Sequence, residues 1–211
     1  MNTDKKQALS VHLKAIRRML IVSVASVAVL FVLFFYLLCG PLVDFVLAPV
    51  RARGIEVITT SVSEALMMQF KVCLIAAVIA GMPVIIWQVW VFVAPALYPQ
   101  EKRLFAALFF VALLLFVGGV VFCYCLVFPM AIDLFWSAAD GVASTLWSVK
   151  EYFNFVLSFV LPFGLMFELP VVVYMLARRG LVTYQKLAHS RKYVILVIAI
   201  IAAILTPPDA V

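Results

Sequence analysis

Five runs of apolar residues, separated by shorter polar segments, dominate the pattern of this chain. They are residues 19–38, 72–93, 104–128, 153–177 and 194–205. The first four runs hold 20 to 25 residues, and helices of that length can cross a hydrocarbon core of about 30 Å. The fifth has only 12 residues, so it must thin the bilayer, lie within a bundle or be re-entrant. The pattern predicts a chain of transmembrane helices.

The composition excludes a soluble protein. Hydrophobic residues make up 67% and charged residues 12% of the 211 positions, and a soluble protein of this size has too little interior to bury so much apolar surface. The sequence therefore predicts an all-α polytopic membrane protein that forms one transmembrane domain over residues 1–211.

Prolines within the runs predict bent helices. Pro83, Pro162 and Pro170 each remove a backbone hydrogen-bond donor from a helix interior, which kinks a helix. Bent helices indicate a curved bundle with a concave face. Pro129 is predicted to end the third span. The segment Ser61-Val62-Ser63-Glu64 fits a capping box that opens the helix of the second span.

The basic residues are distributed unevenly between the two sides of the predicted bundle. With the N-terminus inside, 12 of the 16 Lys and Arg residues lie in inner segments, and only Arg51, Arg53, Lys71 and Lys150 lie in outer ones. The positive-inside rule then predicts a cytoplasmic N-terminus. The net charge of +6 fits lipid head groups better than nucleic acid, because the basic residues flank apolar spans.

Glu168 is the strongest single candidate for function. It lies inside run 153–177, which is otherwise apolar apart from Asn154 and Ser158. A carboxylate at that depth costs several kcal/mol unless it is neutralised, paired or hydrated. We therefore expect Glu168 to face a cavity, a partner helix or a substrate rather than lipid, and to be hydrogen-bonded or protonated.

The inner loop at residues 92–103 carries a second candidate carboxylate. Pro95 and Pro99 break the helix and predict a compact turn, which leaves Glu101 in the first turn of the third span. A carboxylate there is favoured by the helix macrodipole. It is equally suited to bind a guanidinium group through two parallel hydrogen bonds. These residues alone leave both interpretations open.

The motifs along the chain resemble those of one family. The loop at residues 92–103 resembles the first cytoplasmic loop of the TatC family, the multispanning subunit of the twin-arginine protein translocase. Other matches follow in family order and at matching spacing. They are His12-Leu13-Lys14-Ala15-Ile16-Arg17, Ala48-Pro49, Phe167-Glu168-Leu169-Pro170 and Thr206-Pro207-Pro208-Asp209.

The resemblance implies a receptor and core subunit in the inner membrane. Such a subunit would bind twin-arginine signal peptides and, with the single-span TatA and TatB subunits, export folded proteins using the proton-motive force. It is expected to form homo-oligomers within a larger complex. The implied peptide-binding residues are Glu101, Phe92, Pro95, Leu97, Tyr98, Arg103, His12, Leu13 and Arg17. Pro49, Pro208 and Asp209 are implied structural residues of the outer side.

Two departures from the family pattern affect these expectations. Family members have six spans, whereas this sequence ends two residues after the turn that joins the fifth and sixth, so it is expected to be truncated at its C-terminus. In addition, Ala15 occupies the position of a family glutamate. That glutamate, with the one matching Glu101, would contact the two arginines of a signal peptide.

Two other functions compete with this interpretation. A proton-coupled secondary transporter would use Glu168 as its proton carrier, but such folds usually show repeated halves, and none is evident here. An intramembrane enzyme would need a second catalytic group near Glu168. The sequence contains no phosphate loop, nucleophile elbow or metal-ligand cluster, and we expect no enzymatic activity, cofactor or metal. The four cysteines suit small apolar positions.

Overall fold

The computed structural model describes residues 3–93, 102–139 and 147–178, with residues 192, 195, 196 and 200. Side chains are described over slightly shorter ranges, 13–91, 106–137 and 147–178, and at the same four later positions. Several predicted site residues lie outside the described residues: Pro95, Leu97, Tyr98, Glu101, Pro208 and Asp209. Most of the predicted fifth span lies outside them too.

Helices account for almost all of the described chain. In order, the elements are α1 (Thr3–Leu37), α2 (Cys39–Arg51), β1 (Val57–Ile58), α3 (Val62–Val93), α4 (Lys102–Phe122), a π-helical turn (Cys123–Val127), α5 (Phe128–Ala139), β2 (Trp147–Ser148) and α6 (Val149–Arg178). Within the described ranges, four helical stretches are long and apolar enough to cross a membrane: Leu13–Leu37, Val62–Val91, Ala106–Ser137 and Val149–Arg178. The all-α polytopic fold and its first four spans are confirmed.

The second span begins earlier than its apolar run because its N-terminus is capped. The Glu64 carboxylate accepts hydrogen bonds from the backbone N–H of Thr60 at 2.7 Å and of Ser61 at 3.3 Å. This is the carboxylate half of the predicted capping box. The Ser61 hydroxyl lies instead 3.3 Å from the Ser63 hydroxyl. These bonds satisfy donors that would otherwise be left free at the start of α3.

The prediction that Pro129 ends the third span is wrong. The helix continues past Val127 into α5, which contains Pro129 and runs to Ala139. The π-helical turn ends at Val127, two residues before the proline, and the Phe128 N–H donates to the Cys123 carbonyl. A wider turn at this point accommodates a residue that has no N–H to donate, so the helix axis can deviate without ending.

Helices α3, α4 and α6 form the centre of the bundle, and α1 packs along α3. Among the described residues, two clusters of buried side chains lie between these helices. The first joins α2, α3, the π-helical turn, α5 and α6 and includes Phe128 and Phe153. The second joins α3, α4 and α6 and includes Met82, Trp90 and Phe116. Ile79 and Val120 pack against both clusters, which makes the core continuous along the bundle.

A cap closes the end of the bundle that carries the first cluster. It consists of α2 and the strand pair, in which β1 and β2 run parallel with Val57 opposite Trp147. Tyrosine hydroxyls hold α2 in place: Tyr124 donates to the Phe45 carbonyl at 2.8 Å and Tyr152 to the Val46 carbonyl at 2.7 Å. The cap therefore links the segment between α1 and α3 to the segment between α5 and α6, at one end of the bundle.

Candidate functional site

Glu168 lies on the buried face of α6. The buried residues of this helix recur every three or four positions and are Val149, Tyr152, Phe153, Val156, Val160, Gly164 and Val171. Glu168 follows Gly164 by four residues and precedes Val171 by three, so it occupies the same face. It lies ten residues before Arg178, about 15 Å from the end of the helix.

The surroundings of Glu168 are apolar on both sides along the helix. Phe163 and the residues before it pack in the first cluster, whereas Val171 and Met175 pack in the second. The Glu168 Oε1 atom is buried and has no hydrogen-bond partner among the described residues. A buried oxygen acceptor without a donor is costly unless the group is protonated or a donor reaches it. The arrangement leaves this carboxyl group available to a donor from outside the described structure.

Two glycines allow α4 and α6 to approach closely beside this position. A Cβ atom on Gly119 would lie 2.8 Å from the Phe163 carbonyl oxygen, and one on Gly164 would lie 2.6 Å from the Phe116 ring. Both distances are shorter than a van der Waals contact. Small residues give such close helix packing within membranes, so the glycines allow α4 and α6 to meet about one helical turn before Glu168.

The other end of the bundle carries the described parts of the predicted peptide site. Leu13 and Arg17 are exposed on α1, and α3 ends one residue after Phe92. A Cβ on Gly81 of α3 would lie 3.3 Å from Val27 of α1. Arg17 is ten residues before Val27, and Phe92 is eleven after Gly81. In antiparallel helices these offsets bring Arg17 and Phe92 to about the same height, roughly 15 Å from the contact.

The structure therefore brings together the helix segments that carry several of the predicted residues. Some of the side chains of these residues are not among the described ones. His12 lies in α1, Phe92 in α3 and Arg103 in α4, and their side chains are outside the described ones. The α4 helix begins at Lys102. Glu101 itself lies outside the described residues. The described contacts therefore favour neither the helix-dipole interpretation of Glu101 nor the guanidinium-binding one.

An ion pair beside the cap was not anticipated from the sequence. Arg53 Nε donates to Asp133 Oδ1 at 2.6 Å and Nη2 donates to Oδ2 at 3.1 Å, a two-pronged contact between α5 and the turn after α2. Arg53 also donates to the carbonyls of Pro49 and Pro129. The hydrogen bond with Asp133 raises the pKa of the Arg53 guanidinium above its ordinary value. Pro49, a predicted structural residue, thus lies in α2 and joins this network through its carbonyl.

The ion pair was missed because its partners are 80 residues apart, and nothing local relates them. The Gly118-Gly119 pair did carry a signal, since small residues within a transmembrane run favour close helix packing. These features define a polytopic α-helical membrane protein with one capped end and a partly buried carboxyl group on a central helix.

Comparison with known proteins identifies the family. The model of the family described as Sec-independent protein translocase protein (TatC) matches residues 11–211. The TatC of Carboxydothermus hydrogenoformans is 37% identical over 209 residues, which cover 99% of this chain and 86% of that one. The TatC of Haemophilus influenzae is 34% identical over 211 residues, which cover 99% of this chain and 82% of that one.

Solved structures agree with the sequence comparison. A crystal structure described as the twin arginine translocase receptor TatC superposes with a TM-score of 0.86 at 36% identity, covering 93% of this chain and 87% of that chain. A second structure of the receptor, in the detergent DDM, gives the same TM-score at 35% identity. The chain belongs to the TatC family. It is a multi-pass membrane protein and a component of a Sec-independent protein translocase, which favours protein transport over the transporter and enzyme alternatives.

Proposed function

We propose that the protein is the receptor and core subunit of a twin-arginine translocase, and that it binds the twin-arginine signal peptides of folded cargo proteins. The observation that carries this proposal is the likeness, over 93% of the chain, to a structure described as a twin arginine translocase receptor. Five motifs in family order support it. The function is binding and transport, without covalent chemistry.

In this proposal the peptide site is the end of the bundle opposite the cap. Glu101 is its main carboxylate, because a carboxylate accepts two parallel hydrogen bonds from a guanidinium. The other residues form the surrounding surface: Phe92, Pro95, Leu97, Tyr98, Arg103, His12, Leu13 and Arg17. The common height of Arg17 and Phe92 supports a surface shared by α1 and α3.

Ala15 changes the expected affinity of this site. It is exposed on α1, two residues before Arg17, and it removes a carboxylate that the family pattern places there. One charge-assisted contact contributes about 1.5–3 kcal/mol, or about ten- to a hundredfold in affinity. The protein should therefore bind twin-arginine peptides more weakly than its Ala15→Glu variant.

The proposed partners are TatA and TatB, with further copies of this chain in a larger complex. Apolar side chains are exposed along α1, among them Val24, Val29 and Val32. They supply lipid-facing or helix-facing surface for single-span subunits. Glu168 supplies a partly buried acceptor for a donor from such a helix or from the passing cargo, and the proton-motive force drives transport.

We place the protein in the cytoplasmic (inner) membrane with its N-terminus and the peptide site in the cytoplasm. The support is the charge distribution, since Lys14, Arg17 and Arg18 lie at the start of α1 while the basic residues near the cap are fewer. The cap then faces the outer side, where Pro49, Pro208 and Asp209 are proposed structural residues.

An export assay tests the proposal. Cells that lack their own TatC but contain TatA and TatB receive this chain and a folded fluorescent reporter with a twin-arginine signal. We expect export of the reporter, loss of export when the two arginines are replaced by lysines, and loss when a protonophore collapses the proton-motive force. Export of both signals to the same extent would contradict the receptor assignment.

A further inference from the structure

A polar cleft lies between α3 and α6 at the capped end of the bundle. It has a volume of about 260 Å³ and is lined by Ser61, Ser63, Glu64, Met67, Met68, Lys71, Lys150, Phe153 and Asn154. Met68 and Phe153 are buried below it, Met67 is an exposed apolar side chain beside it, and Lys71 and Lys150 are exposed. The cleft therefore combines cationic, hydroxyl and apolar groups within one small space.

Lys71 and Lys150 differ from the other basic residues near the cap in the groups that surround them. Arg51 is paired with Asp44 at 2.7 Å, and Arg53 is paired with Asp133. Lys71 donates instead to the neutral Asn154 Oδ1 at 2.7 Å, and Lys150 lies in the same cleft. Both arginines thus form ion pairs with carboxylates. Lys71 has a neutral partner, and Lys150 lines the cleft together with Glu64, with which it has a weaker charge interaction.

The carboxylate that lines the cleft, that of Glu64, already accepts hydrogen bonds from its own helix terminus. Both Glu64 oxygens accept hydrogen bonds from Thr60, at 2.7 Å from its N–H and 2.6 Å from its hydroxyl, and Ser61 N–H donates to the same group. Glu64 therefore acts as the cap of α3. Two lysines and one glutamate leave the cleft with one net positive charge, which suits a ligand that carries one negative charge.

The depth of the cleft matches the head-group layer of a membrane. Lys71 immediately precedes the apolar run 72–93, and Lys150 lies three residues before the run 153–177. Lysines at the ends of transmembrane helices extend their ammonium groups toward the lipid phosphates. The cleft is thus placed where a phosphate and the first carbons of a lipid would meet it.

We propose that this cleft binds the phosphoglycerol head group of an anionic phospholipid, of the phosphatidylglycerol class, in the leaflet on the capped side. The phosphodiester accepts hydrogen bonds from Lys71 and Lys150, and the Ser61 and Ser63 hydroxyls bind the glycerol hydroxyls. The exposed Met67 contacts the upper part of the acyl chains. The single negative charge of the phosphodiester balances the charge of the cleft. This inference does not depend on the proposed receptor function.

The test uses the purified chain in nanodiscs with equal amounts of phosphatidylglycerol and phosphatidylcholine. Native mass spectrometry measures the ratio of the two lipids that remain bound. We expect a preference for phosphatidylglycerol in the wild-type protein. The preference should fall about thirtyfold in Lys71→Gln/Lys150→Gln and about fivefold in each single variant, so the single variants decide the question if the double variant does not reconstitute.

Two further variants serve as controls. Lys14→Gln removes the same charge from an exposed position on α1 outside the cleft and should keep the preference. Lys71→Arg/Lys150→Arg keeps both charges and should retain most of it. An equal preference in the wild-type and double-variant proteins, or an equal loss in Lys14→Gln, would overturn the proposal. Displacement of the lipid by millimolar inorganic phosphate would also overturn it, since the cleft would then bind a free anion.

Discussion

Glu168 connects the sequence argument with a specific position in the fold. The carboxyl group lies on the buried face of α6, between two apolar clusters, and its buried Oε1 atom has no donor among the described residues. Burial of an unsatisfied acceptor would be selected against if the group had no role. We infer that the donor comes from outside the described residues, and we propose a partner helix or cargo as its source.

Replacing Glu168 by Gln tests this inference. The amide has the same shape and no charge, so the protein should insert and fold with a stability change within about 1 kcal/mol. Export should fall about ten- to a hundredfold, because a hydrogen bond to a charged group contributes about 1.5–3 kcal/mol. The rate of reporter export, normalised to the amount of protein in the membrane, measures the effect.

Glu151→Gln is the matched control for that variant. Glu151 is an exposed carboxylate in the first turn of the same helix, and its loss should leave export unchanged. If Glu168→Gln exports the reporter at the wild-type rate, Glu168 is a packing residue and the inference fails.

Some residues were predictable from the sequence and others were not, for a physical reason. Glu168 was found because a carboxylate within an apolar run is energetically costly in the lipid that would surround it. Arg53 and Asp133 gave no such signal, since charged residues outside an apolar run are ordinary. Their pairing depends on the tertiary fold, which brings α5 against the turn after α2.

At the scale of elements, the contact between α4 and α6 is set by the two facing glycines. Gly119→Ala should destabilise the protein by about 1–3 kcal/mol, because the new methyl group would collide with the backbone oxygen of Phe163, which cannot move away without shifting α6. Unfolding in mixed detergent micelles, with increasing SDS, measures the change in the free energy of unfolding.

Gly118 provides an internal control on the same helix. A Cβ atom on Gly118 would meet nothing within 4 Å, so Gly118→Ala should be neutral or stabilise the helix by up to about 1 kcal/mol. Equal destabilisation by the two substitutions would show that the contact with Phe163 does not determine the packing of α4.

Hydropathy located the first four spans but not their full extent or the cap. Membrane helices must satisfy their backbone internally and expose apolar side chains, so the runs are long and easily recognised. The helices extend beyond these runs into polar sequence, where length is fixed by caps such as Glu64. The pairing of β1 with β2 involves two short segments far apart in the chain, and no local pattern predicts it.

The charge distribution predicts the orientation of the whole molecule in the membrane. In a cysteine-free background, Thr59→Cys, at an exposed position between the cap and α3, should react with a membrane-impermeant maleimide added outside intact cells. Lys14→Cys, exposed near the start of α1, and Gln100→Cys should react only after the membrane is opened. Labelling of Gln100→Cys from the outside would contradict the orientation.

The whole-molecule account requires that the end opposite the cap distinguishes arginine from lysine. The measurement that tests it most directly is the dissociation constant of a twin-arginine signal peptide and of its twin-lysine version. Both are measured for the wild-type protein, Glu101→Ala and Glu101→Gln in nanodiscs, with helix content monitored by circular dichroism. The glutamine variant separates loss of the carboxylate charge from loss of the side chain at the start of α4, which begins at Lys102.

We predict that the wild-type protein prefers the arginine peptide. Both variants should bind it about ten- to a hundredfold more weakly and lose most of the preference, with helix content unchanged. If Glu101→Ala retains the full preference for arginine over lysine, Glu101 does not read the signal peptide. Its contribution would then be to the helix dipole at the start of α4, and the proposed peptide site would be wrong.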